Sequence, residues 1–168
     1  IDWTDTQQIT RMECGFQFTN NTGTAESKGF EIEISGRPIE NFTYTLGVGY
    51  TDAAVKDPQD AANISAGDPL PQVPEWTFMA NGTYDFDLGA NAGYLFVNYS
   101  WIDSSVSVNQ SVTAPRVRPS YSMLDARLGM YVGNWNISLF AKNLTNEHAN
   151  LSDNRSLAAE DPRRPRIV

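Results

Sequence analysis

Residues 41–53, NFTYTLGVGYTDA, constrain the fold more than any other stretch. Phe42, Tyr44, Leu46, Val48 and Tyr50 fill the even positions, and Thr43, Thr45, Gly47, Gly49 and Thr51 fill the places between. A helix would scatter these side chains around its axis, whereas a strand puts one set on each face. One face is greasy and the other small and hydroxylated, so the segment reads as a strand lying between two different environments.

The same period of two recurs along the chain, and no segment keeps a helical period. The predicted strands are residues 1–8, 26–35, 41–53, 76–86, 93–101, 122–132 and 135–143, with an eighth starting near Arg166. Tyr94, Phe96, Tyr121, Tyr131 and Phe140 break the alternation by placing rings on the polar parity. The connections alternate in length. Those at 36–40, 87–91 and 133–134 are tight, and Gly133-Asn134 is a two-residue hairpin signal. Those at 8–25, 53–75, 103–120 and 143–164 are long and polar, and loops of that length usually carry function. Short turns at one end and long loops at the other are the pattern of an outer-membrane barrel.

A soluble β-sandwich or a lipocalin-like binding module also alternates, and it would bury Phe42, Leu46 and Val48 in a protein core. Three features favour the membrane. The strands exceed the five or six residues usual in soluble folds and reach the ~9–11 that a tilted strand needs to cross a bilayer. Their polar face carries Thr, Gly, Asn and Ser, where a sandwich would guard its edges with Lys and Glu. The aromatics gather near strand ends: Tyr50, Trp76 and Trp101 beside long loops, and Phe42, Tyr84, Phe86 and Trp135 beside short turns, as two interfacial belts. The expected fold is therefore all-β, an antiparallel meander of long strands forming a segment of a transmembrane β-barrel.

Composition narrows the function classes. The net charge of −8 and the three lysines, Lys28, Lys56 and Lys142, argue against a nucleic-acid partner, which needs a basic stripe. Cys14 is the only cysteine and His148 the only histidine, so no internal disulfide or thiolate cluster can form. Neither G-x-S-x-G nor H-E-x-x-H occurs, and no enzyme activity is expected. No resident metal or cofactor is expected either. The acidic loop with Asp52, Asp57, Asp60 and Asp68 lacks the spacing of a calcium loop. The chain opens and closes in what read as strands, and an open edge in lipid is not viable. A piece of a longer barrel is the expectation.

The stretches NTGTAESKGFEIEISGRPIENFTYTLGVGYTDA, PLPQVPEWTFMANGTYDF and YSMLDARLGMYVGNWNISLFAKNLTNE, followed by DPRRPRIV, together resemble the late barrel of TonB-dependent outer-membrane receptors. The resemblance implies a partial barrel domain over residues 1–168, from a barrel of about 22 strands, with the plug domain and final strand outside it. It implies periplasmic short turns, extracellular long loops and uptake of a scarce nutrient, most often a ferric siderophore or other iron chelate. It also implies partners: the TonB complex, reached through an N-terminal region outside these residues, the receptor's own plug, and outer-membrane lipid with lipopolysaccharide. The location implied is the bacterial outer membrane.

The candidate residues fall into two groups. Glu31 and Glu33 share one face of one strand, and Asp125 and Arg127 share one face of another. Both pairs are expected to face the lumen or the plug. Asp57, Asp60, Asp68, Asn109, Arg116, Arg118 and Arg155 lie in the long loops and are the candidate ligand contacts. The arginines suit carboxylate or phosphate recognition.

Overall fold

A computed structural model of the chain describes residues 1–4, 7–11, 17–21, 23–58, 65–107 and 116–149. Every regular element among them is a strand. In chain order these are β1 (Asp2–Trp3), β2 (Gln7–Arg11), β3 (Gln17–Asn21), β4 (Gly23–Ile39), β5 (Phe42–Pro58), β6 (Trp76–Leu88), β7 (Asn91–Ile102), β8 (Ser105–Ser107), β9 (Arg116–Arg118), β10 (Tyr121–Val132) and β11 (Trp135–Ala141). The main sheet has seven strands, ordered β1-β4-β5-β6-β7-β10-β11, and all its pairings are antiparallel. It is open: β11 has no further partner among the described residues, and β4 meets β1 only at Ala25 and Glu26.

The tight turns form where the sequence places them. Gly89 and Gly133 begin two-residue loops at φ 67° and 57°, a backbone that glycine adopts without a Cβ penalty. At the β4–β5 turn the register slips between Gly36 and Ile39, across Arg37 and Pro38. Pro38 has no N–H to give a ladder. The Arg37 guanidinium closes the turn by donating to the Glu40 carbonyl, through Nε at 2.6 Å and also through Nη2.

Three expectations need correction. The strand placed at residues 1–8 is two elements: β1 caps β4, while Gln7 and Gln8 belong to a separate hairpin of β2 and β3. That hairpin lies inside the stretch read as a plain loop, and β8–β9 forms another inside 103–120. The β4–β5 hairpin runs far past its predicted ends, with 17 residues in each strand. At ~3.3 Å per residue that is about 56 Å, against the roughly 33 Å a strand tilted ~40° needs to cross an apolar band of ~25 Å. Lys28, Asp52 and Lys56 made this stretch read as loop, yet charges at a strand end beyond the band cost no desolvation. The strand expected near Arg166 lies outside the described residues.

The projecting end of the hairpin holds all the buried apolar side chains among the described residues, Ala25, Ala53 and Val55. β5 leaves β6 after the Tyr50–Trp76 pair, and residues 67–75 take over its free edge. Thr51 N–H donates to Glu75 O at 2.8 Å, Leu70 N–H to Ala53 O at 2.9 Å, Val55 N–H to Asp68 O at 2.9 Å and Gly67 N–H to Val55 O at 2.8 Å. Gln72, at φ 66°, then donates its N–H to Val106 O at 2.8 Å and so joins this strap to β8.

Candidate functional site

The strand register sorts the residues of the main sheet onto two faces. Phe30, Ile32 and Ile34 of β4 lie level with Tyr50, Val48 and Leu46 of β5, and these with Trp76, Phe78 and Ala80 of β6. The same parity carries on through Val97, Leu95, Leu124, Leu128, Ile137 and Leu139. This apolar face has no second layer over it: Ile34 is 54% exposed, Leu128 50% and Leu139 77%. Rings mark both ends. Phe30, Tyr50 and Trp76 form a triad with centroids 4.7–6.0 Å apart near the long loops. Phe42–Tyr44 and Tyr84–Phe86 stack near the short turns, at 6.2 and 6.5 Å.

Glu31, Glu33, Asp125 and Arg127 all fall on the opposite face, as their parity predicts. They form two groups. Glu31 and Glu33 sit opposite Gly49 and Gly47, and the Glu31 side chain leans over Gly49. Asp125 and Arg127 lie four strands along the sheet, about 19 Å away at ~4.8 Å per strand. Asp125 is committed locally. Its Oδ1 accepts from the Asn143 N–H at 2.8 Å, where Asn143 turns the chain at φ 52°. Leu144 N–H donates to Leu124 O beside it, and Asn143 brackets Glu147 with two further bonds.

Arg127 is the centre of an arrangement that the sequence shows only as scattered exceptions. Phe96 of β7 and Phe140 of β11 lie directly opposite it on its two sides. Its guanidinium carbon stands 6.0 Å from the Phe140 ring centroid, a cation–π distance. One row nearer the short turns, Tyr94 lies over Gly129, where an added Cβ would come within 2.4 Å of the ring. Tyr131 flanks Tyr94 at 5.9 Å. These rings, with Asp85 beside them, bound a crevice of about 470 Å³. The ion pairs among the described residues join Lys28 and Lys56 to Glu26 and Asp2, and none reaches Arg127. The sequence signal for the crevice was the shared wrong parity of Tyr94, Phe96, Tyr131 and Phe140, which needs register to become a cluster.

The loop candidates are partly placed. Asp57 is exposed near the tip of β5, opposite Thr24. Asp68 is exposed, and its Oδ2 holds the turn of its own loop by accepting from Ser65 N–H at 2.7 Å. Arg116 and Arg118 flank Val117 in β9, and Arg118 is half-buried. Asp60, Asn109 and Arg155 lie outside the described residues. Near the outer end of β4, Lys28 Nζ reaches Glu26 Oε2 at 2.8 Å. That hydrogen bond holds the Glu26 carboxyl below the usual carboxylate range and the Lys28 ammonium above the usual lysine range. Both groups are exposed, so the pair adds little to stability. His148 is exposed.

A family model described as TonB dependent receptor-like, beta-barrel, matches residues 2–144. No curated protein and no solved structure matches the chain. The match spans most of the chain and the whole of the two-faced sheet, from β1 to β11. The chain belongs to the TonB-dependent receptor β-barrel family of bacterial outer-membrane proteins.

Proposed function

We propose that this chain is part of the wall of a receptor that imports a ferric siderophore across the outer membrane with energy delivered by the TonB complex. Membership of the receptor family carries the general role, and the two-faced sheet carries the orientation proposed for it. An apolar face this exposed, ending in rings at both margins, fits hydrocarbon flanked by headgroups. In this reading the opposite face is the lumen. Glu31 and Glu33 present acid to basic side chains of the plug. Arg127 faces the same lumen further along the wall, and Asp125 shares that face while holding the turn after β11. The projecting β4–β5 hairpin with Asp57, its strap with Asp68, and the β8–β9 hairpin with Arg116 and Arg118 stand outside the bilayer as the ligand-catching rim. Asp60, Asn109 and Arg155 belong to the same loops. Lipid and lipopolysaccharide meet the outer surface.

Spin labels on the full-length receptor in lipid test the orientation. A label at Leu46 should be relaxed by lipid-soluble oxygen, and one at Thr45 by an aqueous reagent; the reverse pattern rejects the reading. Binding of iron-loaded siderophores, cobalamin and oligosaccharides to the same receptor tests the cargo. Saturable binding of a ferric siderophore is expected, and binding of cobalamin or a sugar alone would replace that ligand.

A further inference from the structure

The geometry points to a second ligand site in the crevice around Arg127, taking a small organic anion with a flat unsaturated ring. The inference rests on the reading of the polar face as a lumen wall. Its observations are separate from those that carry the receptor assignment. At about 470 Å³ the crevice is the size of a small-molecule site. Its lining has the composition of such a site, several rings around a few polar groups. The hollow has a structural origin. Gly129 is buried at its base with Tyr94 laid across it, so the floor is flat ring rather than side-chain tips.

Charge selects the ligand. Arg127 carries no carboxylate partner among the described residues, while its neighbour Asp125 gives one oxygen to the Asn143 N–H. Rings stand opposite the guanidinium on both sides, Phe96 and Phe140. Stacking against a ring occupies the guanidinium's faces and leaves its N–H edge free to grip a carboxylate with two parallel bonds. The body of such a ligand would lie over Tyr94 and Tyr131, whose hydroxyls add donors and acceptors at its margin. The crevice sits near the short turns, away from the loop residues proposed to capture cargo. It is therefore a site on the far side of the wall from the entry rim.

The test uses the full-length receptor in lipid nanodiscs, with 2-naphthoate as probe and the uncharged 2-naphthylmethanol as its control, followed by ligand NMR. Saturable binding of naphthoate is expected, with the alcohol at least about tenfold weaker because it lacks the charge-assisted bonds. Arg127→Gln and Phe140→Ser should each weaken naphthoate about tenfold, and Arg127→Lys should restore only part of the loss. Naphthoate bound equally well by Arg127→Gln, or no saturable binding below millimolar, overturns the proposal. A benzophenone side chain at position 140 that cross-links to the receptor's own chain would show the crevice filled by protein, and would overturn it too. A label at Leu139 keeps the failures apart: contact with lipid leaves the barrel reading standing when the ligand site fails, and shielding from lipid removes the barrel reading itself.

Discussion

Rings laid across glycines recur on both faces of the sheet. Phe86 covers Gly93, Tyr44 covers Gly36 and Tyr94 covers Gly129, each pair directly opposed across neighbouring strands. A glycine weakens a strand by leaving nothing to pack, and a neighbouring ring fills that gap while covering backbone. At Gly93 an added Cβ would stand 2.6 Å from the Phe86 ring. Gly93→Ala should therefore lower stability by about 1–3 kcal/mol through overpacking, read as a lower unfolding temperature of the full receptor in detergent. The double variant with Phe86→Leu should recover much of the loss, because the two changes share one contact. Gly89→Asn should be nearly silent, since its φ of 67° suits asparagine and open space surrounds it.

Single strands were legible in the sequence where their alternation is clean. From Phe42 to Tyr50 the faces read directly, and β5 confirms them. The crevice was not legible, because it needs three registers at once: Phe96 against Arg127, Arg127 against Phe140, and Tyr94 against Gly129. Register depends on turn geometry and on the whole pattern of partners, and a slip of one residue would put every ring on the other face. The local role of Asp125 was hidden for the same reason, since Asn143 is 18 positions away. Asp125→Ala should remove the acceptor that holds the Asn143 N–H and loosen the turn that ends β11. A local loss of about 1–3 kcal/mol is expected, seen as faster amide exchange over residues 143–147 while the exchange of β6 and β7 stays unchanged.

Across the whole molecule, one sheet separates two solvents, and the cost of a charge should depend on parity alone. Leu139 and Ser138 are adjacent on β11 and point to opposite faces. Leu139→Arg should destabilise the folded receptor by about 2–4 kcal/mol, the value for arginine facing the bilayer midplane, and Ser138→Arg should stay within about 1 kcal/mol. Equilibrium unfolding in lipid vesicles measures both, and equal costs would contradict the two-solvent picture. At this scale the sequence showed the alternation of short and long connections but hid the internal order of the long ones. Nothing in the composition of residues 65–72 announces that they will run beside Ala53 and Val55 as an edge cover, since backbone bonds alone hold them there. Those bonds have a mechanical result. The Gln72 amide fastens one outer crossing to the next through Val106, so neither can lift without pulling its neighbour. A molecule caught by one of them would be felt by both, and the rim would respond as a coupled pair of flaps rather than as separate fingers.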